Sequence, residues 1–587
     1  MHAPNPSPAP SPTPYEGDRA VLQDLTRRHR DTLDRALRAI RSREHWTPYA
    51  EDPDAYGADA AAQGERAFRG LLGAPFPLET PGRDGTVGPA PAEGGERSPY
   101  GFELGITYPH ADPAALFSAA RAALPGWRDV CPRDRAVVCA EILARINARS
   151  HEFAQVAMHT SGHNFLMAFH AGAVHAQDRG LEAVAVALRE QTRLPARRRW
   201  EKPYGDRTLS VDKTFTVVPR GVSLLIGNRV VPTWSGYPGL FASLATGNAV
   251  VVKPHPDAVL PLALTVAIAR EVLRGCGFDP NLVCLAPERP GEPLARELAT
   301  SPEVGVIDYS GGTEFGAWLA RHAPGARLFA ATSAVNSVLV ESTAHYRGLL
   351  DNTAFSLALY SGQLCTSTQN LLIPRDGIAT DEGHKSFAQV VADLTATLEK
   401  LLVDDARAAE LLGALYDRRM ADRAAEASSG ALAKVALASR AVRHPEFPGA
   451  LIRTPAVVEL DAREEADRAL LTSEWPGPIA FVAAVDSAAA GIGLIREAVR
   501  RRGGLSVGGH TRSPEVAREL EIMCAQEGVL LSLNLTGDFY VSQSSVYSDL
   551  HGSAAGGPGS HAFCDAAFVA PRFHVAEVRR WATDPVR

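Results

Sequence analysis

The chain has 587 residues and a mass of 62.6 kDa, too much for one ordinary core, so roughly two to four domains are expected. Sixty Lys and Arg against 67 Asp and Glu give a net charge of −7, which supplies no electrostatic reason to bind nucleic acid or an anionic membrane. Hydrophobic residues at 45% and charged residues at 22% fit a globular protein. No run of about 18 uncharged apolar residues marks a membrane span.

The opening segment MHAPNPSPAPSPTP reads as an extended, disordered Pro-rich tail over 1–15. It has neither the basic start nor the apolar stretch of a secretory signal. Residues 16–75 read as helical, with Ala20, Leu22, Leu25, Leu33, Ala36, Leu37 and Ile40 at helical spacing. A Gly/Pro-rich stretch over 80–98 reads as a loop. From Asp112 a further helical run carries Leu116, Phe117, Ala120 and Ala123, and another passes through Leu143 and Ile146.

From Thr214 the pattern alternates between strand and helix. GVSLLIG (221–227), AVVVKP (249–254), LVCLAP (282–287) and VGVIDYSGG (304–312) are short apolar strands, separated by helical stretches such as 259–273. Three consecutive valines suit a parallel strand buried on both faces. The alternation predicts a doubly wound α/β domain.

Three segments offer chemistry. DYSGGTEFG (308–316) places Gly311 and Gly312 where a strand passes into a helix, and amides at a helix start can hold a phosphate. A tight turn with no ligand satisfies the same residues, and the segment is not the G-x-G-x-x-G fingerprint. Lys253 ends a strand at its carboxyl edge, where open α/β sheets bind ligands; a solvated strand-end lysine is the plainer reading. In SGQLCTSTQN (361–370), Cys365 has small and hydroxylic neighbours, unlike a packed core cysteine, and a thiolate there could attack a carbonyl. A lone cysteine is more often a buried hydrophobe. The seven cysteines (131, 139, 276, 284, 365, 524, 564) contain no C-x-x-C pair, so reduced thiols and a cytoplasmic location are expected. His159, His163, His170 and His175 read as core or cap histidines, and no metal site is expected.

In order and spacing, GNAVVVKP (247–254), SGGTEFG (310–316), GQLC (362–365) and EWPGP (474–478) resemble the aldehyde dehydrogenase superfamily. Longer segments, among them PTWSGYPGLFASLATGN (232–248), LYSGQLCTSTQNLLIPRDGI (359–378) and NLTGDFYVSQSSVYSDLHG (534–552), are similar to PaaN-type phenylacetic-acid degradation proteins. The resemblance implies an α/β aldehyde dehydrogenase-like fold with a Rossmann-like dinucleotide-binding domain, a second α/β catalytic domain and a small β oligomerisation element. The implied division is a helical N-terminal extension over 16–100, a dinucleotide-binding domain over 101–330 with an oligomerisation strand near 205–220, a catalytic domain over 331–540, and a C-terminal segment over 541–587. The second oligomerisation strand is expected near 568–578.

Residue by residue, the resemblance implies that Cys365 is the nucleophile, forming a thiohemiacetal and then a thioester, with its own N–H as an oxyanion donor. Lys253 matches the residue that touches the adenosine ribose, Glu474 the one that bonds the nicotinamide ribose, and Gly311 and Gly312 the loop facing the pyrophosphate. Tyr547, Asp549 and His551 would line the substrate mouth. A homodimer or homotetramer is implied too.

The departures fall on the reaction itself. Val230 stands where the family carries its oxyanion asparagine, a loss of about 10²–10³ in rate, and Asn228 could substitute only if its loop shifted. Ala331 stands where the family carries the glutamate that activates water, worth roughly 10²–10⁴; Glu341 is the nearest carboxylate in sequence. Pro476 replaces a phenylalanine beside the nicotinamide. Pro256 removes a carboxylate from the adenosine end, which permits NADP as well as NAD. Three readings follow. One is a slow NAD(P)-dependent dehydrogenase, and another is a thioester-handling enzyme with CoA as acyl acceptor, since thiol exchange needs no water-activating base. The third is a repurposed protein with non-redox or lost catalysis. The redox readings come first, acting on an aldehyde or acyl thioester of aromatic or ring-derived metabolism.

Overall fold

The computed structural model describes residues 18–82, 85–88, 95–332, 334–537 and 565–582. The Pro-rich tail, Cys564 and the trio Tyr547, Asp549 and His551 lie outside the described residues.

The helical run expected over 16–75 is two helices, Arg19–Ser42 and Ala60–Leu71. Asp18 caps the first by accepting from the amides of Ala20 and Val21, and Arg43 ends it in the left-handed conformation at φ 60°. Its buried face, Leu25, Leu33, Ala36 and Ile40, packs on the helix Pro132–Asn147. There Glu141 meets His29 at 2.7 Å and Arg145 at 2.8 Å. The loop expected over 80–98 contains a two-residue strand, Thr86–Val87, paired with Tyr108–Pro109.

The alternating segment builds a five-stranded parallel sheet in the order Val283–Leu285, Ala249–Lys253, Val222–Ile226, Val304–Ser310, Arg327–Ala331. The chain runs outward in one direction from Val222–Ile226 and then resumes on its other side with Val304–Ser310. That reversal opens a crevice at the carboxyl ends of these two central strands. The valines of Ala249–Lys253 are fully enclosed, as a parallel strand covered on both faces requires.

A second, seven-stranded sheet follows. It runs Lys434–Leu437, Ala456–Asp461, Ile479–Val485, Thr368–Pro374, Asn336–Val340, Val507–His510, Leu531–Leu533, parallel apart from the first, edge strand. A third sheet pairs Arg207–Pro219 between Arg197–Tyr204 and Phe573–Trp581, all antiparallel. The C-terminal strand starts at Phe573, later than the expected 568, because Asp565 caps a short helix, Ala566–Val569, by accepting from the amide of Phe568. No helix among the described residues is long and apolar enough to cross a membrane.

Arg572, just before that last strand, is fully buried in the first sheet's flank. It donates to both carboxylate oxygens of Asp308 at 2.6 and 2.7 Å and to Ser243 Oγ at 2.8 Å. Its guanidinium packs against the rings of Phe329 and Phe568, 4.7 and 4.2 Å from their centroids.

Candidate functional site

The two large sheets face each other across a cavity of about 580 Å³, a size ordinary for a small-molecule site. The first sheet presents its carboxyl edge. Gly227 and Asn228 follow one central strand, Ser310, Gly311 and Gly312 follow the other, and Lys253 ends the neighbour; all line the cavity. Gly312 precedes the helix Thr313–His322, and no side chain caps that helix start. A Cβ on Gly312 would meet nothing within 4 Å, so the backbone at this helix start borders open space. Lys253 is buried and its Nζ pairs with Glu288. Beside it, burial pushes His255 down to about 4, helped by the charges of Arg229 and Lys253 and opposed by Asp257; the ring is neutral at neutral pH.

The second sheet presents its amino edge. Asn336, Cys365, Glu474 and Leu505 all sit at or just before the starts of strands, and all line the cavity. The approach to Cys365 is strained: Tyr360 and Ser361 hold φ of 50° and 52°, the left-handed region, at a cost of about 1–3 kcal/mol each. Long-range contacts hold them there. Tyr360 is buried, its hydroxyl donates to Ser161 O and its ring stands edge-on to His163 with centroids 4.4 Å apart. Ser361 Oγ donates to Leu412 O at 3.1 Å. Gly362, at φ 65°, lies so close to the Gly477 carbonyl that a Cβ would collide with it, and Gly477 N–H donates back to Gly362 O at 3.2 Å. The Cys365 loop and the loop of Glu474 thus meet backbone to backbone.

Asn336 clamps the same loop. Its Nδ2 donates to the carbonyls of Cys365 and Ser367 at 2.8 and 3.1 Å, while its Oδ1 accepts from the amides of Leu505 and Ser506 at 3.1 and 3.0 Å. Gln363 adds donations to Tyr360 O and Ala414 O and accepts from the Tyr416 amide. Cys365 itself is exposed, toward the cavity it lines. Desolvation by the surrounding walls pushes its thiol up to about 11; the Glu474 carboxylate adds to this, and the N–H groups of Cys365 and Thr366 oppose it. Burial also raises Glu474, against the Ala334 N–H and the charges of Arg502 and Arg423.

The expected departures also line the cavity: Ala331 at the end of its strand, Val230, Pro256 and Pro476. The Val230 side chain packs against the core and its carbonyl accepts from His163 Nε2 at 2.6 Å; burial holds His163 down to about 4, so the ring is a neutral donor. Asn228 cannot replace the missing amide. Both its N–H bonds are engaged, to Ser235 Oγ at 3.0 Å and Ser310 Oγ at 2.7 Å, and its oxygen accepts from the Val231 amide at 3.0 Å. Glu341 lies past the far end of Asn336–Val340, roughly 16 Å along the strand at about 3.3 Å per residue, and is bonded to Thr511 and Ser342. Among the described residues Glu474 is the one carboxylate lining the cavity.

Cys365, Lys253, Gly311, Gly312 and Glu474, named from sequence at separations of up to some two hundred residues, thus line one cavity. Four side chains around it escaped the sequence reading: Tyr360, Ser361, Gln363 and Arg229. The double hold of Asn336 on the Cys365 loop likewise has no local signal in the sequence. The histidines pack as structural groups: His159 stacks on Phe68 at 4.8 Å, and His170 on His175 at 5.1 Å, with His175 bonded to Glu51 at 2.9 Å.

An aldehyde dehydrogenase family model matches residues 106–522. The crystal structure of an NAD-dependent aldehyde dehydrogenase from Burkholderia multivorans is similar with a TM-score of 0.91 at 46% identity, covering 96% of this chain and 99% of that one. Vanillin dehydrogenase from Pseudomonas fluorescens is 26% identical over 384 residues, 63% of this chain and 72% of its own. A 1-pyrroline-5-carboxylate dehydrogenase from Thermus thermophilus, at 18% identity, shares the fold with a TM-score of 0.68 over 89% of this chain and 96% of its own.

Proposed function

The chain belongs to the aldehyde dehydrogenase family, and we propose that this aldehyde dehydrogenase-like oxidoreductase interconverts an aldehyde and an acyl thioester at Cys365, using NAD or NADP and passing the acyl group to a thiol such as CoA rather than to water. The observation that carries this reading is the contrast within the cavity. Cys365 opens into it, while Ala331 and Val230 supply neither a carboxylate nor an amide, and the nearby Asn228 has both N–H groups engaged.

The residues fit a dinucleotide. Gly312 leaves open space before the helix Thr313–His322, and Lys253 ends a strand separated from Val304–Ser310 only by Val222–Ile226. A bound nicotinamide supplies the hydride acceptor, or in reverse the donor. In the oxidative direction Cys365 Sγ forms a bond to the aldehyde carbon as the carbonyl π pair moves to oxygen. The thiol proton leaves to solvent, and the Cys365 N–H faces the developing charge. Loss of hydride from that carbon leaves a thioester on Cys365, whose departing sulfur is then displaced by an incoming thiolate. Glu474, on the same edge as Cys365, is assigned to the nicotinamide ribose.

An aromatic or ring-derived substrate, of the sort handled by PaaN-type proteins, is supported by the segments shared with that branch and by the 26% identity to a vanillin dehydrogenase. We assign residues 101–330 to dinucleotide binding and 331–540 to the nucleophile. The third sheet is assigned to contact with a second copy in a dimer or tetramer, since it exposes Trp200, Tyr204, Val575, Val578 and Trp581. The expected location is the cytoplasm, and no observation favours the non-redox alternative.

The test is nicotinamide reduction by the purified protein with a panel of aromatic aldehydes, with and without CoA. Turnover that requires CoA and vanishes in Cys365→Ala is expected. Equal rates without CoA would overturn the thiol acceptor, and no turnover in either direction would overturn the redox reading.

A further inference from the structure

Arg229 sits in the turn after Val222–Ile226, at the point where the first sheet reverses its strand order. Its side chain is 14% exposed and paired with Asp257, at 3.0 Å, whose own side chain is 54% exposed. Nε donates to Thr160 O at 3.3 Å. The guanidinium carbon lies 5.4 Å from the centre of the Tyr416 ring, and Tyr416 belongs to the opposite wall, where its amide bonds Gln363 two residues before Cys365. The guanidinium therefore spans the cavity's waist. Lys253, His255 and Pro256 lie on one side, and Arg229 and Tyr416 line the same space as Gly311 and Gly312.

Among the described residues the cavity wall carries two permanent cations, Arg229 and Lys253. Lys253 already faces Glu288, which is largely enclosed at 12% exposure. The partner of Arg229 is different: an exposed carboxylate contributes little to holding it, and is readily exchanged for a stronger ligand. A guanidinium forms its best pairs with planar or tetrahedral oxyanions, to which it offers two parallel N–H donors.

We propose that Arg229 takes up a phosphate group of the dinucleotide, exchanging Asp257 for it when the cofactor enters. This rests on the dinucleotide reading above. Two phosphates present this chemistry, the pyrophosphate bridge and the 2′-phosphate of NADP. By holding Tyr416 through its ring face, Arg229 also ties the occupied phosphate site to the wall that carries Cys365.

Calorimetric titration of NAD⁺ and of NADP⁺ into the unaltered chain, Arg229→Leu, Arg229→Lys and Asp257→Asn tests this, with thermal melting to check folding. Arg229→Leu should weaken binding at least tenfold, and Arg229→Lys should restore part of it. Equal losses for both dinucleotides assign the pyrophosphate, and a loss confined to NADP⁺ assigns the 2′-phosphate. Asp257→Asn, at a half-exposed position, should tighten binding several-fold by removing the competing carboxylate, and stands in if the leucine variant fails to fold. Undiminished affinity in Arg229→Leu, or weaker affinity in Asp257→Asn, would overturn the inference alone. No binding of either dinucleotide by the unaltered chain would overturn the dinucleotide reading together with it.

Discussion

The first sheet meets the cavity with the carboxyl ends of its strands, the second with the amino ends of its own. At a carboxyl edge the strand passes directly into a helix beside the crevice, so Gly312 need only leave room there, while Gly311 makes way for the Tyr309 ring. An amino edge offers no helix start, and a side chain must be aimed into the cavity by the loop that enters the strand. Here that aim costs two left-handed residues, Tyr360 and Ser361, and needs the clamp of Asn336. Open space on one side follows from fold geometry; the placement of Cys365 on the other depends on strain held by distant contacts.

The sharpest way to break the first half is Arg572→Met. It leaves Asp308 buried without its counter-charge, and the expected cost is about 3–5 kcal/mol. Chemical denaturation would measure it, and a change under about 1 kcal/mol would show that the pair does not hold the sheet.

Asn336→Ala should separate the halves. It strips two carbonyls and two amides of their partners, a loss on the order of 2 kcal/mol in stability. If aim matters as argued, kcat should fall roughly tenfold or more while the dinucleotide Kd stays within about twofold. Equal damage to both would mean that the two edges are not separable.

The smallest effect concerns the thiol. A Cys365 pKa of about 11 lies above the ordinary thiol range, so the thiolate is scarce at neutral pH and grows as pH rises. Iodoacetamide labelling without dinucleotide should therefore rise about tenfold per pH unit with no plateau below pH 9 or so. Glu474→Gln removes a negative neighbour, which lowers that pKa and should speed labelling a few-fold at fixed pH. Slower labelling in this variant would reverse the sign assigned to Glu474.

The difference between the edges also explains what the sequence made legible. Strand and helix alternation, the glycine turn and the valine strand ending in Lys253 are local patterns, and they correspond to Val222–Ile226, Ala249–Lys253 and Val304–Ser310 within a residue or two. Cys365 stood out only through its small neighbours and the resemblance. Tyr360 and Ser361 gave no sign of positive φ, because what holds them lies at Ser161 and Leu412. The true start of the last strand was hidden for a similar reason: the Asp565 cap and the burial of Arg572 belong to tertiary packing.

Arg572 has a further consequence, in the order of synthesis. Its partner Asp308 leaves the ribosome 264 residues earlier, in the strand that leads into the glycine turn. Until the guanidinium arrives, that strand carries a carboxylate that burial penalises, and the flank formed by Phe329 lacks the group stacked on it. The first sheet therefore cannot be finished as a unit while the second is still being made. Its edge of the cavity matures only once Arg572 has emerged, and the half-made state is the one in need of protection from aggregation.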